Sequence, residues 1–290
     1  MGKLVTMIAS DGSVVCHCID STDMVAKAEQ IHQTSAVITA ALGRLMTAAS
    51  IMGAALKGED SSVTVRIGGN GPVGVVIAVA DNQGNVRGYV TNPVVELPLN
   101  QHGKLDVSGA VGTDGFLSVI KDFGFGEPYV GQVPIISGEI AEDVTNYYAI
   151  SEQIPTVCAL GVLVNPDLTV RAAGGYVAQL LPGADDASID RLEKTIQNIP
   201  PISQMIDQKM SPVEIASRVL EGFDPELLDE QQVEYRCNCT RDRVERAFLS
   251  MSREDLEEMA NDTKDTEVSC HFCNKVYTFT PAQLKELMQQ

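Results

Sequence analysis

Runs of β-branched and apolar residues, separated by turns that contain Gly, Asn or Asp, dominate the first 180 residues and predict β-strands. Two strands are expected in residues 1–19, on either side of Asp11-Gly12. Further strands are expected at residues 75–80, 86–90, 116–120, 128–136, 156–164 and 168–179. Hairpins join most of these strands and crossover helices are few, so the pattern predicts an α+β fold with a largely antiparallel sheet.

Helical patterns interrupt these strands at three places. A helix can begin at Ser21, a longer one is expected over residues 35–56, and a third over residues 137–150. The longer helix is rich in Ala and Gly, so its neighbours can approach its backbone closely, which suits a helix packed on a sheet. Its apolar run has the length of a membrane span, but it contains Arg44, and we interpret it as a buried helix.

Beyond Leu181-Pro182-Gly183, residues 184–235 show only short helical patterns interrupted by prolines. One of these helices begins with a capping box, Ser211 with Glu214, and has Pro212 at its first position. The segment is strongly acidic, yet it carries an apolar stripe at helical spacing, which needs an apolar partner. The nearest candidate is the preceding sheet, so we predict a marginally stable helical cap. The stripe consists of Ile189, Leu192, Ile196, Ile199, Ile202, Met205 and Ile206.

The last fifty-odd residues carry two close pairs of cysteines, Cys237 with Cys239 and Cys270 with Cys273. The segment between the pairs has helical patterns and can bring them together, and a strand and a final helix are expected after Cys273. Four thiols in two such pairs are typical of a tetrahedral Cys₄ zinc site, so we predict one Zn²⁺ per chain. We expect nearby basic residues to favour the thiolate form of these cysteines. These residues are Arg236, Arg241, Arg243 and Lys275.

Composition bounds the possible functions further. The chain has 290 residues, 44% of them hydrophobic, which is enough for one large domain with smaller pieces. We assign residues 1–180 to a core domain, 181–235 to a linker and 236–290 to a zinc-binding domain. Their formal charges are about −8, −8 and −2, which sum to the −18 of the chain, so no basic patch for nucleic acid is expected.

The seven cysteines are expected to lie in a reducing compartment. The first residues contain no apolar core of a signal peptide, so we predict a cytoplasmic protein. In the cytosol, thiols favour metal or redox chemistry over structural disulfides.

Two other motifs invite functional interpretations. The run from Gly69 to Gly74 matches the dinucleotide fingerprint G-x-G-x-x-G, but a β-branched run rather than a helix follows it, so a hairpin is predicted. No Walker A motif occurs, and an ATP-independent activity is expected. The run Cys16-His17-Cys18 could be half of a metal site. Alternate strand residues point the same way, however, and buried core cysteines explain the run more simply.

The cysteine region resembles the C-terminal module of the 33 kDa chaperonin family, the bacterial redox-regulated heat-shock holdases. The resemblance is carried there by residues 235–246 and 270–279, and it extends over effectively the whole chain. The matching upstream motifs, in order, lie at residues 41–44, 70–72, 88–93, 137–143, 151–155 and 173–176. Cys16, Cys18 and Cys158 do not belong to the family pattern.

This resemblance implies a chaperone rather than an enzyme, which holds unfolding proteins without ATP and is inactive while reduced and zinc-bound. Oxidation would pair Cys237 with Cys239 and Cys270 with Cys273 and release the metal. The zinc domain and linker would then unfold, and the active species would be a homodimer with exposed apolar surface. Nucleic acid and membrane are not expected partners.

Two alternatives belong to different classes of protein. A zinc-ribbon module could bind nucleic acid or a protein complex, although the acidic charge disfavours nucleic acid. A thiol-disulfide oxidoreductase could use Cys270 and Cys273, but such an enzyme is expected to place its pair in a thioredoxin-like βαβ setting. Salt-dependent retention on DNA or RNA would favour the first alternative, and turnover in insulin reduction would favour the second.

Overall fold

The computed structural model describes residues 2–288, and the chain divides into two compact units, Met1–Arg236 and Cys237–Gln290. The strands of the larger unit are β1 (Gly2–Ile8), β2 (Val14–Asp20), β3 (Ser62–Gly68), β4 (Val75–Asp81), β5 (Val86–Val90), β6 (Phe116–Asp122), β7 (Tyr129–Pro134), β8 (Thr156–Val164), β9 (Val170–Leu180) and β10 (Glu226–Val233). Its α-helices are α1 (Thr22–His32), α2 (Ala36–Ala54), α3 (Val107–Val111), α4 (Ala141–Tyr147), α5 (Asp186–Asn198), α6 (Ile202–Asp207) and α7 (Pro212–Val219).

The larger unit contains two five-stranded sheets. The first has the order β10-β1-β2-β9-β8, the second has the order β5-β4-β3-β6-β7, and every neighbouring pair is antiparallel. Hairpins such as β1–β2, β3–β4 and β8–β9 join sequence neighbours. The predicted α+β class with antiparallel sheet is therefore confirmed.

Helix α2 packs against strands of both sheets and lies in the main core. Its small residues allow close contact, since a Cβ atom added to Gly53 would lie 2.4 Å from the carbonyl oxygen of Asp81. By length and composition α2 could cross a membrane, but 89% of its apolar window is buried within the protein. The interpretation of this segment as a buried helix, despite its apolar length, is confirmed.

The glycine-rich run after β3 is the connection of the predicted β3–β4 hairpin. The amide of Gly71 donates to the carbonyl of Val111, and that of Val73 donates to the carbonyl of Ala110, both at 3.0 Å. A Cβ atom on Gly71 would lie 2.3 Å from the Ala110 carbonyl oxygen, so glycine is needed for this close approach of two backbone segments. These two amides bind backbone carbonyls in the hairpin, which is the structure that the β-branched run predicts.

The prediction that residues 184–235 hold only helices is wrong at its end, where β10 runs antiparallel to β1. Five of the eight β10 side chains are polar or acidic, and such residues have low strand propensity. Backbone pairing with β1 forms this edge strand, from Gly2 opposite Val233 to Ile8 opposite Glu226. The short helix α3 also follows no pattern that we identified in the sequence.

Helices α5, α6 and α7, here called the cap helices, form a second core with the face of the first sheet that points away from α2. Met205 of α6 and Ile215 of α7 are fully buried there, and Ile196 of α5 is partly buried. The predicted capping box at Ser211 is present, with its Oγ accepting from the amide of Glu214. The predicted packing of the apolar stripe on the sheet is confirmed for six of its seven residues, because Leu192, Ile202, Met205 and Ile206 are buried in this core and Ile196 and Ile199 pack against it. Ile189 is partly buried and is not among the residues of this core.

Candidate metal centre

The smaller unit consists of short elements around the cysteines. They are helices α8 (Arg241–Leu249) and α9 (Arg253–Asn261), strands β11 (Thr266–Ser269) and β12 (Val276–Phe279), and helix α10 (Pro281–Leu287). The predicted helices and the strand after Cys273 are present, whereas β11 was not anticipated. Thr280 caps the last helix, with Pro281 at its first position.

A tight turn between β11 and β12 positions the second cysteine pair. The amide of Asn274 donates to the carbonyl of Cys270 at 2.8 Å, and the amide of Cys270 donates to the carbonyl of Lys275 at 2.9 Å. Asn274 has a φ of 57°, in the left-handed region that Asn tolerates better than most residues. The turn thus aims two thiols to the same side of the hairpin.

The four thiols of the two pairs converge. Their Sγ atoms all lie within 4.8 Å of one another, and all four residues are partly buried. Two of these approaches cross between the pairs, with 3.7 Å from Cys237 Sγ to Cys270 Sγ and 3.4 Å from Cys239 Sγ to Cys273 Sγ. The predicted proximity of these side chains is therefore present in the structure.

These distances fit the donor set of a tetrahedral zinc ion. With Zn–S bonds of about 2.3 Å, tetrahedral geometry separates sulfur atoms by about 3.8 Å. A disulfide bond would instead require about 2.05 Å. The cluster therefore has the spacing of four thiolate ligands around one metal ion.

Tyr277 is a polar neighbour of the cluster that the sequence analysis missed. Its hydroxyl lies 3.2 Å from Cys239 Sγ and 3.0 Å from the Cys239 carbonyl oxygen. Burial acts to raise the pKa of Cys239, but hydrogen bonds from Tyr277 and from the other three thiols outweigh burial and lower this pKa to about 7. Burial raises the pKa of Cys237. The sequence signal that could have predicted this contact is the position of the tyrosine, four residues after the last cysteine and on a predicted strand.

The basic residues expected to support the thiolates make other contacts. Arg241 lies over the Phe279 ring at 4.0 Å and donates to the Thr278 carbonyl, and Lys275 lies over the Tyr277 ring. Arg243 donates to the carbonyl of Asn238 at 3.4 Å, and Arg236 pairs with Glu234. These contacts stabilise the local fold, and the effect of the four cations on the thiolate form of the cysteines stays a prediction.

The apolar core beneath the cluster is small. Its buried members are Phe248, Leu256, Ala260, Tyr277, Phe279, Leu284 and Leu287. Phe248 and Phe279 meet edge to face with centroids 5.0 Å apart. A core of this size supplies little hydrophobic free energy, so a unit of this kind usually needs a further constraint such as a metal.

The other three cysteines lie in the larger unit. Cys16 and Cys18 are fully buried in the second core, whereas Cys158 packs against the main core on the opposite face of the first sheet. His17 lies between them on β2, and its ring pairs with Thr6 Oγ1 at 2.9 Å. The interpretation of Cys16 and Cys18 as same-facing, buried core residues is confirmed.

Fold and site together define a class of protein, an antiparallel α+β body followed by a small module built around four thiols. Comparison with known proteins agrees, since the family model described as Hsp33 protein matches residues 2–280. The chain belongs to the Hsp33 family.

Named relatives resemble the chain over nearly its whole length. It is 46% identical over 290 residues to the 33 kDa chaperonin of Bacillus pumilus, covering 100% of this chain and 99% of that protein. It is 46% identical over 286 residues to the 33 kDa chaperonin of Acetivibrio thermocellus, covering 99% and 96%. The crystal structure of the 33 kDa chaperonin of Thermotoga maritima matches with a TM-score of 0.88 and 36% identity, covering 99% and 97%.

Proposed function

We propose that this protein is a redox-regulated, ATP-independent holdase in the cytoplasm, which binds unfolding proteins and is inactive while reduced and zinc-bound. The observation that carries the proposal is the convergence of four thiols within 4.8 Å in a unit with only a small apolar core. Membership of a family whose curated members are named chaperonins supports the client-binding role. No catalytic role is assigned to any residue.

Cys237, Cys239, Cys270 and Cys273 would hold one Zn²⁺ per chain as thiolates. A structural zinc ion contributes about 10–16 kcal/mol to the folding of small zinc modules, comparable with the whole stability of many domains. Tyr277 would orient Cys239 and stabilise its thiolate through the hydroxyl hydrogen bond. The fold of the smaller unit would thus depend on the protonation and oxidation states of four sulfur atoms.

The proposed switch is the oxidation of these thiols to two disulfides, Cys237 with Cys239 and Cys270 with Cys273. Each disulfide forms as two thiols lose two electrons and two protons, while one peroxide is reduced to two water molecules. Both bonds consume metal ligands, so the four-thiolate site no longer exists after oxidation. The pairing of sequence neighbours follows from the family resemblance, and all four sulfurs lie within 4.8 Å of one another in the reduced form.

Loss of the metal site would also affect β10 and the cap helices, which precede the smaller unit in the chain. In the described part of the chain, β10 is an edge strand of mostly polar residues that pairs with β1, and the register shifts between Thr6 and Met7 of β1. The chain passes from its last residue, Val233, to Cys237 in four residues. We propose that unfolding of the smaller unit destabilises β10, and that the cap helices then leave the sheet.

The surface uncovered by this release would bind clients. The face of the first sheet under the cap is apolar and includes Val5, Met7, Val14, Ala172 and Tyr176. An exposed apolar face of this kind suits unfolding proteins and also a second copy of the chain, consistent with a homodimer as the active species. Neither nucleotide, nucleic acid nor membrane has a role in this scheme.

One zinc ion per chain is expected in the reduced protein. The variant Cys237→Ser, Cys239→Ser should lose its tightly held metal, because serine hydroxyls do not replace thiolates as zinc ligands. Metal analysis after dialysis measures this loss, and Cys158→Ser serves as the control that keeps full zinc. Full, tightly held zinc in the double variant would contradict the site.

Tyr277→Phe is expected to weaken zinc binding by about tenfold, the lower end of effects seen for partners of metal ligands. The ring, which is 6% exposed, keeps its packing in this variant and only the hydroxyl contact to Cys239 is lost. Competition with a chromogenic chelator gives the affinity. Tyr129→Phe removes a hydroxyl in the larger unit and should have no effect. An unchanged affinity in Tyr277→Phe would exclude this role.

A further inference from the structure

The Cys16-x-Cys18 pair lies outside the proposed metal centre, yet its position relates it to the same switch. Both side chains are fully buried on β2, and both belong to the second core. The other wall of that core is the cap, because α7 packs on β1 and β2, and α6 packs on β9. The pair is thus covered by the segment that the proposed function releases.

Burial keeps these thiols unreactive while the cap is in place. It raises the pKa of Cys16 to about 12 and that of Cys18 well above its ordinary value. Thiolate is the form that peroxide and alkylating reagents attack, and an uncovered cysteine is a few per cent thiolate at neutral pH. Loss of the cover therefore changes both the access to the thiols and the fraction that is ionised.

We infer that Cys16 and Cys18 form a second, conditional oxidation site, masked by the cap helices and open to peroxide only after they leave. This inference rests on the proposed function for the event that removes the cap. The site lies on the face proposed to bind clients. Oxidation of Cys16 and Cys18 would therefore occur only in the open state, and on the client-binding surface itself.

The oxidation balances with peroxide as the only oxidant. A thiolate of the pair takes one oxygen from peroxide, which gives a sulfenic acid and hydroxide, and the second thiol then attacks this sulfur and releases water. The two side chains share one strand face. Residues two apart on a strand have Cα atoms about 6.7 Å apart, at the upper end of the range for disulfides. Oxidation at the open face would then consume six thiols in total.

Cys158 provides a control within the same sheet. It lies opposite Val177 in the β8–β9 pairing and packs against the main core, on the face that the cap does not touch. Its reactivity should be the same whether the cap is closed or open. A general loosening of the larger unit would instead raise the reactivity of all three cysteines.

The test maps thiol reactivity in the full-length chain with N-ethylmaleimide and peptide mass spectrometry. The variants are Met205→Glu, in which a buried cap residue becomes charged, and the matched control Gln204→Glu at the exposed neighbouring position. In the reduced, zinc-loaded state, Cys16 and Cys18 should label about 100-fold faster in Met205→Glu than in the parent or Gln204→Glu. This ratio corresponds to about 2.8 kcal/mol of cap closure, at 1.4 kcal/mol per tenfold.

Peroxide treatment of the parent tests the oxidation itself. Loss of the Cys16 and Cys18 thiols should follow, not precede, loss of the four zinc-site thiols. Equal labelling in the closed parent and the open variant would overturn the inference. So would unreactive Cys16 and Cys18 in a Met205→Glu protein that binds hydrophobic dye, or in an oxidised parent that is active as a chaperone.

Failure of the proposed function gives a different result. If peroxide produces neither dye binding nor chaperone activity, while Met205→Glu still exposes Cys16 and Cys18, the switch is wrong and the masked site stands. Should Met205→Glu fail to fold, Ile196→Glu, at a partly buried position of α5, would release the cap with less disruption of the core. Gln197→Glu, at the exposed neighbouring position, is its control.

Discussion

Met205→Glu is expected to suppress client aggregation while it is still reduced and zinc-loaded. Met205 is 0% exposed in the core between α6 and the first sheet. An uncompensated buried charge costs about 3–5 kcal/mol, which exceeds what short helices of an acidic segment can offset. The cap would leave the sheet without any change at the cysteines. Light scattering of a heat-unfolded client, with zinc and free-thiol assays on the same sample, measures the effect.

Matched substitutions isolate the contribution of the cap. Gln204→Glu adds the same charge one residue away at an exposed position and should stay inactive until oxidised. Ile196→Glu, at the partly buried edge of the same core, should give an intermediate activity together with increased dye binding. If the Ile196→Glu and Met205→Glu proteins both remained inactive when reduced, with cap amides as protected from exchange as in the parent, the client surface would have to lie elsewhere.

Peroxide with mild warming is expected to convert the parent from an inactive protein to an effective holdase without nucleotide. The four zinc-site thiols should be lost first, with release of zinc, and the smaller unit should unfold because its small core cannot replace a contribution of about 10–16 kcal/mol from zinc. Hydrogen exchange should show lost protection in α8, α9 and β12, followed by the cap helices. Aggregation suppression and thiol counts on the same samples give the order of these events.

Metal removal without oxidation separates the two parts of this switch. A chelator under reducing conditions should unfold the smaller unit, and activity in that state would show that ligand loss is sufficient and that disulfides only maintain it. Equal activity of the parent before and after peroxide, or a strict ATP requirement, would contradict the proposed function.

Much of this protein follows from local patterns. The strands of the larger unit up to β9 and helices α1 and α2 agree with runs of β-branched residues, turn glycines and helical spacing, because those signals reflect burial that each element needs. The hairpin turn at Gly69–Gly74 could be distinguished from a nucleotide-binding loop because a strand, not a helix, follows the glycines. The cysteine spacing likewise indicated the cluster, since two close pairs are what one tetrahedral ion requires.

The apolar stripe of the cap predicted a packing partner as well as helices. Its spacing in an acidic segment indicated that it must cover an apolar surface, and the structure shows that surface on the first sheet. Burial of Cys16 and Cys18 beneath it could not be foreseen in the same way. Alternation placed them on one strand face, but only the packing decides which face the cap covers.

Other features needed the tertiary structure because their cause lies far away in sequence. β10 has a polar composition and forms because the edge of β1 offers backbone partners some 220 residues upstream. Tyr277 reaches Cys239 only after the chain folds back and brings β12 to the first cysteine pair. The contact of Arg241 with the Phe279 ring and the Thr278 carbonyl likewise depends on this folding. The sequence alone thus determined most of the elements and the donor set, through local burial and ligand chemistry. Edge pairing, hydrogen bonds to the sulfurs and the choice of covered face were decided by packing between distant segments.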